Sequence, residues 1–202
     1  MAWPVDGFHE GNDMAGDLPG KSQLVVIGAG PGGYAAAFHA AELGMQVTLV
    51  SAEPHPGGVC LHRGCIPSKA LLHVAGLIRE TRESSNWGVT FQPPEINLDT
   101  LRNWKDGIVR KLAGGVAELC RLRKVNLVHA RASFIDSRTL RLETNDGQND
   151  QLAFEHAILA SGSSPAIPEI FDSKDPRVMN STTALALADV PAQDSGARAA
   201  ST

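Results

Sequence analysis

Apolar positions cluster first at Leu24–Ile27, a short unbroken run that ends in glycine. Such a run reads as a strand buried on both faces, as in a parallel sheet. Tyr34–Leu43 follows, rich in alanine, with small residues on one face and a stop at Gly44. That pattern predicts a helix lying close on a sheet. Gln46–Val50 is apolar again, so the three pieces form one βαβ unit. Val25–Val50 is interrupted by five glycines, Glu42 and Gln46, which excludes a membrane span.

Ser51–Gly58 reads as a Pro/Gly loop, and the region from Val59 to about Ser84 as helical with an interruption near Pro67. Leu71, Leu72, Ala75 and Ile78 are its expected inner side. Trp87–Pro94 is irregular. Asn97 can cap a long helix from Leu98 to about Arg123, with Leu101, Trp104, Ile108, Leu112, Val116 and Leu119 as the stripe. Gly114-Gly115 should weaken or bend it. Asn126–Ala130 is a third strand of the main sheet. Ala132–Ile135, Thr139–Glu143 and Leu152–Phe154 predict a small antiparallel meander, turning at Asp136-Ser137 and Asn145-Asp146-Gly147. Ala157–Ala160 reads as another buried strand, ending in Ser161-Gly162-Ser163. The fold expected is α/β, with a parallel central sheet and a meander attached. Residues 1–20 read as a disordered leader, 21–190 as the folded domain and 191–202 as a disordered tail.

Composition narrows the partners. The net charge of −4 gives no support to a nucleic-acid or anionic-membrane surface. The N-terminus lacks a basic start followed by an apolar run, so no signal peptide is expected. Three cysteines are too few for a disulfide-stapled secreted scaffold and suit an intracellular, cytoplasmic setting.

The chemistry begins at Gly28, Gly30 and Gly33, which match G-x-G-x-x-G. The first glycine permits the turn, the second lets the backbone approach a pyrophosphate, and the third lets helix and strand touch. The hexapeptide alone is weak evidence; its place between a strand and a helix inside a βαβ unit is the confirming context. A glycine-rich turn that binds nothing is the bland alternative. One piece departs from the pattern. The second strand should end in a carboxylate that holds a ribose hydroxyl. Ser51 stands there, and the nearest carboxylate is Glu53, which either reaches back to the ribose or is a solvated loop charge.

Cys60 and Cys65 follow, five residues apart in GGVCLHRGCIPSK. A disulfide needs Cα atoms within about 7 Å. Full extension would separate these by more than about 15 Å. A regular helix would separate them by about 7.5 Å along its axis and turn them to different faces. A bond therefore needs a distorted helical turn, and Gly64 and Pro67 supply the irregularity. Two ordinary core thiols, or a zinc site with His55, His62 or His73, are the competing readings. Cys120 on the long helix reads as an inert core thiol. As a redox couple, a dithiol–disulfide pair exchanges two electrons. A thiol cannot pass a hydride to nicotinamide directly, so a flavin is the natural relay. Lys69, one helical turn after Cys65, could put positive charge near the flavin, and a cation there favours thiolate; a plain surface lysine is its alternative.

VVIGAGPGGYAAA, GGVCLHRGCIPSKALLH and AILASGS, in that order, resemble the N-terminal portion of the dihydrolipoamide dehydrogenases, FAD-dependent pyridine nucleotide–disulfide oxidoreductases. The likeness runs from about Ser22 to Pro191. It implies a Rossmann-like FAD-binding domain, with NAD as co-substrate and no metal. It implies that Cys60 is the interchange thiol and Cys65 the flavin-side thiolate of a charge-transfer complex, with Lys69 near the isoalloxazine. It implies backbone contact with the adenine around Ala130, and a turn beside the flavin at Ser161-Gly162. Gly58, in the run before the first cysteine, is counted with the cofactor-binding positions. His62-Arg63 replaces the usual Asn-Val between the cysteines. The implied partner is the dihydrolipoyl group of an acyltransferase complex, served by a homodimer. Family members are more than twice as long, continuing into an NAD domain and a dimerisation domain that donates an acid/base His–Glu pair. Set against that, AQDSGARAAST carries no core pattern, and the expectation is a truncated chain. The alternative function is an FAD-binding remnant without catalytic activity.

Overall fold

The computed structural model describes residues 20–144, 147–171, 175 and 177–189. The leader up to residue 19 and the tail from 191 lie outside them, as do Asn145 and Asp146 of the second turn. The chain divides into two compact units. One comprises Met1–His62 with Lys111–Ser163, the other Arg63–Arg110 with Ser164–Thr202.

The first unit is a sheet with helices. Strand β1 (Lys21–Ile27) leads through helix α1 (Pro31–Glu42) to β2 (Val47–Ser51). Later come β3 (Asn126–Asp136), β4 (Thr139–Thr144) and β5 (Asn149–Leu159). β1 runs parallel to β2 and β5, and β2 parallel to β3. β4 pairs antiparallel with β3 and β5. The five strands close into one barrel-like ring, so the expectation of a parallel sheet carrying a separate meander is corrected. The cause lies in two long strands. Residues 126–129 of β3 pair with β2, and residues from Ala130 onward pair with β4. β5 likewise serves β4 first and then β1. What the sequence splits into Asn126–Ala130 plus Ala132–Ile135, and Leu152–Phe154 plus Ala157–Ala160, is therefore two strands of 11 residues each.

Side-chain alternation then makes two cores. Leu24 and Val26 face α1 and pack with Ala37, Ala40, Leu49, Cys120 and Leu127. Val25, on the other face, packs with Val50, Val128, Ala130, Leu140, Leu142, Leu152 and Phe154. The buried face of α1 is Gly33, Ala37 and Ala40, so the helix can lie close to the strands. Arg123 stacks over the Phe38 ring at 5.0 Å and pairs with Glu42 at 3.0 Å. The expected burial of Ala157–Ala160 is not observed: Ile158 and Leu159 are exposed. Past Ala153, β5 has a strand partner on the β1 side only, which leaves this half as a sheet edge.

Helix α2 (Gly58–Arg63) breaks at Gly64, and α3 (Cys65–Glu83) begins there. The break falls three residues before the expected one. Pro67 sits buried in the first turn of α3, where a missing N–H costs nothing. The inner side of α3 includes Pro67 and Ala70, with Leu71 and Ile78 half-buried, whereas Leu72 and Ala75 face solvent. A 3₁₀ turn, Ser84–Trp87, follows. Helix α4 (Leu98–Leu122) runs unbroken through Gly114-Gly115, and Asn97 Oδ1 accepts from Thr100 N at its start. Its buried positions are Lys105, Ala113 and Cys120, while Trp104, Leu112 and Leu119 are partly exposed. The burying face is thus turned by one position from the predicted stripe.

In the second unit, a short helix α5 (Ser181–Ala186) is started by a reciprocal Asn180–Thr183 capping box. Its final carbonyls are held by α4. Lys105 Nζ donates to Leu185 O at 2.9 Å, and Arg102 donates to Leu187 O and Ala188 O. Leu185 O lies in the last turn, where a carbonyl has no partner within its own helix, so a buried lysine is satisfied there. Among the described residues no helix is long and apolar enough to cross a membrane.

Candidate functional site

The carboxyl ends of the parallel strands β1, β2 and β5 meet at the glycine turn. Each glycine there has a separate reason. Gly28 has φ +106, a conformation that side chains disfavour. A Cβ on it would lie 2.1 Å from Ala160 O. A Cβ on Gly33 would lie 1.7 Å from Gly28 O, so helix and turn are in direct backbone contact. Gly30, the residue that caps α1, differs: its nearest neighbour would be Gly58 Cα at 3.9 Å. The space beside Gly30 is open, as a cradle for a bulky anion requires. The first N–H groups of α1 have no carbonyl one turn back to bond, and they carry the positive end of the helix dipole.

The loop after β2 is strapped onto this turn. Gly57 N donates to Ala29 O at 2.8 Å. Gly58, at φ +59, lies so close that a Cβ would meet Gly30 Cα at 2.6 Å. Ala160 N donates to Ile27 O at 2.8 Å, which brings the exposed Ser161 and the left-handed Gly162 to the same end of the sheet. Gly28, Gly30, Gly33, Gly58, Ser51, Glu53, Ser161 and Gly162 all belong to the first unit.

Ser51 is the last residue of β2 and is buried. Its Oγ accepts the Glu53 amide at 3.2 Å. The Glu53 carbonyl in turn accepts from Nδ1 of His129, also at 3.2 Å. His129 is absent from the sequence-based site. Its signal was faint: a single polar residue within an apolar strand, one position before Ala130. Ala130 itself is almost fully buried, its side chain in the inner core.

The sulfur residues fall on both sides of the division. Cys60 is half-buried on α2, in the first unit. Cys65 is exposed as the first residue of α3, in the second. Lys69 is also exposed and stands four residues along the same helix, hence on the face that carries Cys65. Ser68 Oγ donates to Cys65 O at 3.0 Å. Among the described residues no group of three or more His, Cys, Asp or Glu is placed to hold a metal ion.

The sequence profile of the pyridine nucleotide-disulphide oxidoreductases matches residues 22–200. The chain belongs to this family. Among its curated relatives, the dihydrolipoyl dehydrogenase of Haemophilus influenzae is 46% identical over 171 residues, which are 85% of this chain and 36% of the relative. That of Vibrio cholerae is 42% identical over the same share of each. That of Halobacterium salinarum is 42% identical over 88% of this chain and 38% of the relative. The chain thus matches an N-terminal portion of dihydrolipoyl dehydrogenases and spans a little over a third of their length.

Within this family member, Cys120 is chemically separate from the other two thiols. It is 1% exposed, and burial pushes its thiol up to about 11 from the ordinary 9.0. Since the thiolate is the reactive form, we expect iodoacetamide at pH 8 to leave Cys120 unlabelled in the native protein while labelling reduced Cys65. Peptide mass mapping reads this out. The same shift sets a pH window. A raised thiol stabilises the fold fully below pH 9, and this contribution is lost as pH rises through 11.

Proposed function

We propose that this chain binds FAD at the glycine turn and passes the electrons of a dithiol to it through Cys60 and Cys65, as the reducible N-terminal part of a dihydrolipoyl dehydrogenase-like protein. The observation that carries the reading is the contrast among the glycines. Protein fills the space beside Gly28 and Gly33, whereas a Cβ on Gly30 would meet nothing nearer than Gly58 Cα at 3.9 Å, which supports a diphosphate there. The group fits the residues present: a backbone cradle without side chains, a helix N-terminus, and a loop held tightly against it by Gly57 and Gly58.

In this reading Gly28, Gly30, Gly33 and Gly58 serve the diphosphate. Ser51 and Glu53 form the ribose end, and the backbone at Ala130 the adenine end. Ser161 and Gly162 lie toward the flavin. Cys60 is the interchange sulfur: a substrate thiolate attacks its Sγ in the Cys60–Cys65 disulfide, the S–S bond breaks, and Cys65 leaves as thiolate. The second substrate thiol then attacks the mixed disulfide, releasing Cys60 as a thiol and the product as a disulfide. The protein pair has gained two electrons. FAD, when bound, supplies a two-electron acceptor that can relay them to NAD. Lys69, on the same helix face as Cys65, supplies a cation on that side. The pairing of the two sulfurs is supported by the helix break at Gly64, which supplies the distorted turn that their spacing needs, and by the family. The substrate is proposed to be a dihydrolipoyl group, and the setting cytoplasmic.

Hydride delivery to NAD is proposed only of a protein of the relatives' full length, of which the matched segment is 36%. For the 202 residues themselves we expect bound FAD and no sustained dihydrolipoamide–NAD turnover. The test is to load the purified chain with FAD, desalt it, and add dihydrolipoamide anaerobically. Flavin retained and bleached once, without continuing NADH formation, is the expected result. Failure to retain any flavin removes the cofactor reading, and steady NADH production overturns the restriction to longer proteins.

A further inference from the structure

The glycine fingerprint ordinarily ends its second strand in a carboxylate that accepts from the ribose hydroxyls. Here that carboxylate is replaced by Ser51, and the structure puts His129 beside it. The two are register partners, the last pair of β2 and β3, at the same end of the sheet as the glycine turn. A two-step clasp joins them: His129 Nδ1 to Glu53 O, and Glu53 N to Ser51 Oγ, each 3.2 Å.

The clasp decides which atoms are left to act. A carbonyl only accepts, so Nδ1 carries the hydrogen. In the neutral ring Nε2 is then the acceptor, directed away from Glu53 O. Ser51 Oγ accepts from an amide, which directs its own O–H elsewhere as a donor. His129 is only half-buried, so its ring is not sealed into the core. These two side chains therefore add one acceptor and one donor at the end of β2, where a strand-end carboxylate would have offered two acceptors.

We propose that His129 and Ser51 together seat the adenosine ribose, Nε2 of His129 accepting from one hydroxyl and the Ser51 hydroxyl donating to a ribose oxygen. This rests on the FAD reading above. It adds a residue that determines affinity for the adenosine half. It also explains how a chain with serine at the carboxylate's place in the strand can hold a dinucleotide.

The test compares FAD with FAD lacking the adenosine 2′- or 3′-hydroxyl, titrated into the full apo chain and followed by flavin fluorescence. For the wild type, one deoxy form should bind about tenfold more weakly, the loss of one good hydrogen bond. His129→Ala should lose about tenfold for FAD but less than threefold further when that same hydroxyl is removed. FMN, which has no adenosine, should bind wild type and variant alike. Equal losses by His129→Ala for FAD and for both deoxy forms would make the histidine merely structural and overturn the proposal. So would a wild type indifferent to both hydroxyls, a comparison that needs no variant to fold. A wild type that binds no FAD at all overturns the cofactor reading and takes this proposal with it. Intact FAD binding with no effect of hydroxyl or histidine overturns this proposal alone.

Discussion

Gly33→Ala is expected to destabilise the chain by about 4 kcal/mol or more, at the upper end of what single substitutions do. The new methyl would be centred 1.7 Å from the carbonyl oxygen of Gly28. No rotamer relieves this, because alanine has none and the neighbour is backbone. Moving Gly28 is not open either. Its amide is bonded to Val50 O at 2.8 Å, and its own Cα lies against Ala160. The helix must therefore lift from the strand, which opens the core around Leu24, Val26 and Ala37. For a domain whose whole stability is about 5–15 kcal/mol, such a loss is a large share. A fall in Tm of roughly 8–16 °C, or recovery only in the insoluble fraction, is the expected readout. Gly30→Ala is the control that separates fold from function. Its φ of −74 suits alanine, and the nearest atom to the new Cβ would be 3.9 Å away. Stability should change by less than about 1 kcal/mol. The methyl would occupy the cradle instead, weakening FAD binding on the order of a hundredfold. A Gly30→Ala protein that melts like Gly33→Ala, or one that holds FAD normally, would contradict this assignment of the two glycines.

Cys65→Ser should abolish reduction of bound flavin by dihydrolipoamide while leaving flavin binding within about twofold of wild type. The argument is one of electrons. A dithiol gives up two only by forming a disulfide, and a serine in either position leaves the protein without a disulfide to receive them. Cys60→Ser should fail in the same assay. Dithionite, which needs no cysteine, should still bleach the flavin in both variants. Neither change should disturb the fold, since Cys65 is exposed and Cys60 only half-buried. Bleaching of the Cys65→Ser protein by dihydrolipoamide at the wild-type rate would remove the cysteines from the reaction path.

Features carried by a local pattern were legible. The β1–α1–β2 unit, the tight backbone packing at Gly28 and Gly33, the Asn97 cap and the turn at Asp136 follow from nearest neighbours along the chain, and they stand where expected. The break between α2 and α3 was misplaced because proline signals a stop more loudly than glycine. Yet proline is welcome in a first turn, while Gly64 adopts φ −142 and ψ −111, outside the helical region. The α4 stripe was read one position off, since Leu112 and Ala113 are both apolar and only packing chooses between them.

The amino-acid sequence alone determined the family, the cysteine spacing and the glycine fingerprint, because each is a matter of residue types at short separation. Tertiary structure alone decided that β3 and β5 serve two partners apiece and close the sheet, since pairing between distant strands leaves no periodicity to read. It alone brought His129 to the loop 76 positions away, where a ring nitrogen meets the Glu53 carbonyl. A hydrogen bond of that kind depends on where two strand ends come to lie, and hydrophobic spacing carries no record of it.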